Sequence, residues 1–486
     1  MLVGIDQGTT GTTCIAFDED LTPVAKAYEA LPNRYPQPGW VEQDPEDIVR
    51  GVVNTVGEVL RKIGGPKQVR AAGLANQGET VVAWDKRKAK AATAAVVWSD
   101  ARAKDLVTRL LRQGHGERVA ALTGLRLDPY FSAAKFTWLL ENDPAVSNVA
   151  AGNLRLGTLD TWLAWRLGAQ RMVTDPSTAS RTQLLGLSSG NWESDLLELF
   201  GVPEKALATV QPSVGDWGEL HHPSWGGSLP WRASLVDQPA ALAGNACFSY
   251  GEAKVTYGTG CFLLANVGQE PVAPPEGLLA TVAWSEGERL TYAFDGGAFT
   301  AGTALKWLQS VGVITAPEET SDLAESVADA GGVRFLPAIT GLGSPWWHNE
   351  ARGLFSGITG GTTQAHLTRA VLDAVAFRVR DMLEALWTAG VERPSALCVD
   401  GGLTQNRYLM QRQADVLGLP VKRSANVEAT ATGAAALAGI GAGILTEEKI
   451  RSLLSDADLI APRLSEEQRE AEYAQWRDWL ERACEL

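Results

Sequence analysis

Apolar and polar positions alternate in blocks along this chain. An apolar run at 2–5 gives way to small and polar residues at 6–13, and a second apolar run follows at 14–17. Apolar runs this short, flanking a turn rich in Gly and Thr, read as strand, tight turn, strand. The same unit recurs far downstream, where 254–257 leads into Gly258-Thr259-Gly260 and 261–265 leads out. Two hairpins with similar turns predict two related domains facing one another.

Between the hairpins, strand-like pieces (71–74, 81–84) alternate with helix-like ones (47–63, 105–113, 133–141). After the second hairpin the alternation resumes. Segments 301–311, 364–388, 406–417 and 429–440 read as helices, 396–399 as a strand, and the charged tail 465–486 as a helix. Strands alternating with helices predict an α/β chain with mixed or parallel sheets. The expected division is 1–245 and 246–486.

Composition adds limits. At 486 residues the chain is too long for one ordinary core. A net charge of −14 argues against non-specific nucleic-acid binding, which needs a basic surface. The five cysteines are widely spaced and form no CxxC pair, so a disulfide framework or a cysteine-built zinc site is not expected, and a reducing, cytoplasmic setting is. The N-terminus has no signal-peptide pattern and no apolar run is long enough for a membrane span. The Ala/Gly-rich stretch 429–443 comes closest and reads as a buried helix. His221-His222 has no third ligand at metal spacing and reads as a solvated loop.

Three glycine clusters carry candidate chemistry. The first is Asp6-Gln7-Gly8-Thr9-Thr10, whose backbone N–H groups can form a nest for phosphate oxygens, with Asp6 placed to hold a magnesium ion through water. It is not a Walker loop, and taken alone it is equally a plain hairpin turn. Gly258-Thr259 is the second; two such turns on facing domains can clamp a triphosphate. The third, Asp400-Gly401-Gly402, ends a strand before a helix, where glycine lets a ligand approach the backbone closely. Asp237-Gln238 ends an apolar segment before a helix; the carboxylate suits a general base for an alcohol, or a helix N-cap.

Taken together, these motifs resemble the FGGY family of carbohydrate kinases, and within it the glycerol kinase branch, over essentially the whole chain. Tyr130 to Asn142 fits the first family signature; 353–358, followed by His366-Leu367 and 370–373, fits the second. Pro38 to Pro45, Asp175 to Arg181, Tyr257 to Phe262 and Thr340 to Gly343 are also close. The resemblance implies two actin-like ATPase (ribonuclease H-like) domains around a central cleft, and transfer of phosphate from ATP to a hydroxyl of a small polyol or sugar, with glycerol as first guess. It implies Asp237 as general base, and Asp6 and Asp237 as magnesium ligands. Thr9, Thr10, Gly258, Thr259, Gly302, Gly402 and Asn406 would face ATP. Gln77, Glu79, Trp98, Tyr130, Asp237, Gln238 and Phe262 would line the substrate pocket. A homodimer or homotetramer is expected by the same resemblance. Other readings are a kinase of another polyol or ketose (tetritol, pentitol, xylulose or ribulose type), a non-catalytic sugar-binding regulator on this fold, or an actin-like or chaperone ATPase. Intact Asp6 and Asp237 weigh against the regulator, and both family signatures against the ATPase.

Two departures matter. The loop that reads Asn-Gln-Arg-Glu-Thr in glycerol kinases reads Asn76-Gln77-Gly78-Glu79-Thr80 here. Gly78 has no side chain to donate, and a polar substrate group left unpaired costs roughly 1–3 kcal/mol. The expectation is a roomier pocket for a longer polyol or ketose, or a gap filled by another residue, with Arg102 and Lys135 as candidates. Thr13 stands where the same branch has an arginine near the ATP phosphates, and no basic Gly-rich regulator loop is evident near 225–231.

Overall fold

The computed structural model describes residues 1–486 except 89, 425–427, 456 and 485–486. The two hairpins anchor two large sheets. In the first, Leu2–Gln7 and Gly11–Phe17 run antiparallel, Pro23–Ala30 adds antiparallel to the second strand, and Ala71–Asn76 and then Gly227–Val236 add parallel on the other side. In the second, Ala253–Tyr257 and Cys261–Gly268 run antiparallel, Arg289–Ala298 adds antiparallel, and Leu397–Asp400 and then Val421–Ser424 add parallel. The five strands around each hairpin therefore share one order and one set of directions. The repetition that was faint in the sequence is complete in the topology. This is the actin-like α/β architecture.

Two helices rich in small residues join the halves. Helix Asp237–Gly244 follows the strand Gly227–Val236, and helix Ala429–Gly441 lies across the first sheet although it comes from the second half of the chain. Their backbones nearly touch. A Cβ on Gly433 would stand 1.8 Å from the Ala240 carbonyl oxygen, and one on Gly244 would stand 1.9 Å from that of Ala429. The same helix meets the sheet equally closely: a Cβ on Gly4 or Gly73 would stand 1.9 Å from the carbonyls of Ala431 and Ala434. Ala-rich composition thus produces close backbone approach, and Leu2, Ile15, Phe17, Leu242 and Leu437 complete one core across the junction.

The expected elements appear within a few residues of their predicted bounds. Helices Pro45–Ile63, Lys104–Arg112, Ser132–Asn142, Gly302–Ser310, Gln364–Thr388 and Arg407–Leu417 are all present, and the tail forms Glu466–Cys484, with 485–486 outside the described residues. His221-His222 is not a loop. It ends the edge strand Glu219–His222, where the His222 ring nitrogen accepts from the Ser224 backbone N–H. Among the described residues no helix is long and apolar enough to cross a membrane.

Candidate active site

The first candidate carboxylate, Asp6, stands at the end of strand Leu2–Gln7, paired in register with Thr13. The Asp237 carboxyl opens helix Asp237–Gly244, in the first turn rather than at the N-cap position, which Val236 occupies. Its Oδ1 accepts the Gln238 backbone N–H at 2.7 Å. The helix N-terminus favours its charge, but burial dominates and lifts it to about 6, against the opposing pull of Lys254. Burial, then the charge of Asp237, lifts Asp6 to about 8. The two carboxylates therefore repel one another at the junction of the halves. A pair of hard oxygen donors under mutual repulsion suits a divalent cation that completes its shell with water and phosphate. Among the described residues no cluster of three or more His, Cys, Asp or Glu forms a metal cage.

Beside them lies Lys254, a residue that sequence reasoning did not single out. Its ammonium donates to Gln238 Oε1 and, at 2.7 Å, to Thr256 Oγ1. Burial lowers its pKa, while Asp400 and Asp237 hold it up. Asp400, buried and raised by burial, accepts from the Asn245 amide at 2.7 Å. Lys254 sits on a strand whose apolar neighbours read simply as core, and its role follows only from pairing that strand with Leu397–Asp400.

Glu79, expected in the substrate pocket, is buried. Its backbone lies in the left-handed region at φ 52°, uncommon for a residue with a side chain. The strain is held from two sides: Ser132 Oγ donates to its carbonyl at 3.1 Å, and Arg181 Nε donates to its carboxylate. Arg181 also donates through Nη1 to Asp295 Oδ2 at 2.7 Å, tying the first half to strand Arg289–Ala298 of the second. Asp175 fixes this arginine. Its carboxylate caps the one-turn helix Pro176–Ser180 by accepting from Ser177 and Thr178, and Arg181 follows at the other end. Burial lifts Glu79 to about 7, against the opposing charge of Arg181. Tyr130 packs 5.3 Å from the Trp98 ring, and burial, then Glu79, raises its phenol well above the usual range. Phe262 lies opposite Gly297, on the same strand and two residues from Asp295.

Gln77, expected in the pocket, is turned inward. Its amide donates to Gln43 Oε1 at 2.9 Å and accepts from Thr80 Oγ1 at 3.1 Å. Neither candidate for replacing the missing arginine reaches the site. Arg102 is held by Asp100 and Glu42, each at 2.8 Å, and stacks 3.9 Å over Trp40. Lys135 donates to the carbonyls of Pro129, Tyr130 and Phe131, and burial lowers it to about 8. A Cβ at Gly78 would stand 3.0 Å from Val236 Cγ2.

Two of the glycines expected to face ATP stand in open space. A Cβ on Gly258 or Gly402 would meet nothing within 4 Å. The start of helix Gly302–Ser310 rests on the second hairpin. Gly302 N–H donates to the Gly258 carbonyl at 3.1 Å, and a Cβ on Gly302 would stand 2.6 Å from that oxygen. Thr259 and Thr10 are exposed. Thr9 is partly engaged, since its hydroxyl accepts from Trp98 Nε1 at 2.8 Å. The Asn406 side chain is used locally: it caps helix Arg407–Leu417 by accepting from Leu409 and donates to Thr320 at 2.9 Å. A cavity of 980 Å³ lies elsewhere, around Asp373, Arg412 and Glu472. There Arg412 is paired with both carboxylates.

Two sheets of one topology, with a helix-start carboxylate and open Gly/Thr turns at their junction, form the arrangement of an actin-like phosphotransferase. The chain belongs to the FGGY family of carbohydrate kinases: the family's N-terminal domain model matches residues 1–244 and its C-terminal domain model residues 253–442. A glycerol kinase of Thermus brockianus is 44% identical over 485 residues, covering 99% of this chain and 98% of the relative. The crystal structure of Plasmodium falciparum glycerol kinase with ADP superposes with a TM-score of 0.92 at 31% identity, covering 99% of this chain and 97% of that one. The xylulose kinase of Rhodospirillum rubrum superposes at 0.84 with 25% identity, covering 99% of both chains.

Proposed function

We propose that this chain transfers the γ-phosphoryl group of ATP to a hydroxyl of glycerol or a closely related small polyol. The observation that carries the reading is Asp237: a carboxylate at a helix start, facing Asp6 and flanked by Lys254, beside a pocket built by Glu79, Tyr130 and Trp98. At neutral pH a base near 6 is ionised and still able to take a proton. The substrate hydroxyl gives its proton to Asp237 as its oxygen attacks the γ-phosphorus, and ADP leaves. The turns Gly8–Thr10 and Gly258–Gly260 supply backbone N–H groups to the phosphates, where donors aimed at developing charge act most strongly. Asp6 and Asp237 would hold magnesium, which neutralises phosphate charge when bound. Glu79, held in its left-handed conformation by Arg181, accepts hydrogen bonds from the polyol hydroxyls. Closure of the halves excludes water and aligns the hydroxyl with phosphorus.

Glycerol is favoured by the 44% identity over nearly the whole length of a glycerol kinase. The test is a coupled ADP-release assay on glycerol, dihydroxyacetone, erythritol, xylitol, ribitol, xylulose and ribulose, with Asp237→Asn as blank. Glycerol or a three- to four-carbon polyol is expected to give the highest kcat/KM. A pentulose far ahead of every polyol would overturn the substrate reading, and no turnover above the blank would overturn the kinase reading.

A further inference from the structure

The five cysteines take no part in the reaction described above, and all are free thiols. Two of them meet. The Cys247 and Cys398 thiols both donate to one acceptor, the Asn245 carbonyl oxygen, each at 3.7 Å. They also hydrogen-bond to one another. That bond is the largest influence on both, lowering the Cys398 thiol from its usual range and raising Cys247 well above it. Cys398 is half-buried, whereas Cys247 is 2% exposed. The pair joins two elements of the site. Cys247 stands just past helix Asp237–Gly244, after Ala246 in the left-handed region at φ 56°, and its carbonyl accepts from the Asn266 amide at 3.2 Å. Cys398 lies on strand Leu397–Asp400, in register with Lys254. A second rung runs beside the first, where the Asn245 amide donates to Asp400, two residues along from Cys398.

We propose that Cys247 and Cys398 form a reversible disulfide that slows the enzyme under oxidising conditions. A half-buried thiol beside a buried partner has the arrangement of an attacking and a resolving cysteine. With hydrogen peroxide as the oxidant, the Cys398 thiolate attacks one peroxide oxygen, the O–O bond breaks, hydroxide leaves and a sulfenic acid forms. The Cys247 sulfur then attacks that sulfur. The S–O bond breaks, and the departing hydroxide takes up the Cys247 proton as water. The two thiols are oxidised by two electrons, and the peroxide is reduced to water. A dithiol reductant reverses the step by thiol–disulfide exchange. The disulfide takes both donors from the Asn245 carbonyl and ties the end of the helix that carries Asp237 to the strand that carries Asp400. Asn245 holds Asp400, and Asp400 holds the charge on Lys254 beside Gln238, so the cross-link shifts groups that surround the general base. The loss of rate rests on the polyol-kinase reading; the cross-link does not.

The test treats the full chain with hydrogen peroxide, blocks the remaining thiols with iodoacetamide and maps disulfides by mass spectrometry of unreduced peptides. Cys247 and Cys398 are expected in one cross-linked pair, with the denatured protein losing two of its five titratable thiols. Over the same exposure kcat on glycerol should fall by about tenfold or more, because small displacements around a reacting centre are costly. Dithiothreitol should restore it. Cys398→Ala and Cys247→Ala should each keep their activity through the treatment, while Cys484→Ser should lose it as wild type does. Should Cys247→Ala fold poorly, the wild-type map and Cys398→Ala decide. Absence of the Cys247–Cys398 cross-link, a cross-linked protein with unchanged kcat, or equal inactivation of Cys398→Ala would overturn the inference. The cross-link is read without turnover, so its failure is distinguishable from failure of the kinase reading, which would show as no phosphorylation by the reduced protein.

Discussion

Glu79 has the least comfortable backbone in the site, and its surroundings explain why it persists. A left-handed residue costs of order 1–3 kcal/mol unless neighbours hold it, and here Ser132 and Arg181 do. Removing Arg181 takes this partner from the buried Glu79 carboxylate and the half-buried Asp295 carboxylate. Arg181→Ala is expected to destabilise the fold by about 3–5 kcal/mol and to raise the polyol KM, with Arg181→Lys recovering part of each; denaturant unfolding and kinetics check both. Asp237 sets the pH response. Burial lifts its pKa to about 6, so kcat/KM should fall as pH drops through 6 and the base protonates. Asp237→Asn should remove that limb and lower kcat by about 10²–10⁴-fold. At this scale the sequence was partly legible. Asp6 and Asp237 stood out because each ends an apolar run beside turn or helix-start residues. Arg181 stood in a recognisable motif, but its task needed Glu79 and Asp295, both roughly a hundred residues away. The Gly78 substitution was visible, while Val236 behind it was not, because only folding brings the two together.

At the scale of elements, glycines divide into those that let backbones meet and those that stand in open space at the turns. Gly433→Ala should cost about 1–3 kcal/mol, since its Cβ would stand 1.8 Å from the Ala240 carbonyl and neither helix backbone can yield cheaply. Gly402→Ala adds a methyl to open space. It should change stability by no more than about 0.5 kcal/mol while raising the ATP KM, so thermal unfolding and ATP titration separate the two roles. The hairpins and long helices were legible because their apolar periods are clear. Strands Leu279–Glu286 and Gly227–Val236 were harder: the first is buried along nearly its whole length and lacks alternation, and the second carries Pro230 within it. His221-His222 lacked any strand period and joined the sheet edge through pairing with Gly227 and Ser228.

At the scale of the whole molecule, the halves are not independent. Helix Ala429–Gly441 comes from the second half yet covers the first sheet, sharing a core with Leu2, Ile15 and Phe17. A fragment of residues 1–245 would expose that face to water and is expected not to give a sharp unfolding transition, whereas the intact chain should unfold with its halves coupled; calorimetry of both distinguishes them. The Arg181–Asp295 pair ties the halves again. Such coupling suits an enzyme that must close before it reacts, because an open junction would let water take the phosphoryl group. The most direct measurement is therefore the fate of that group. With γ-labelled ATP, magnesium and glycerol, the label should appear on the polyol in step with ADP, with little free phosphate, and transfer should be abolished in Asp237→Asn. Label released as inorganic phosphate at the same rate with and without polyol would contradict a kinase and show an ATPase instead.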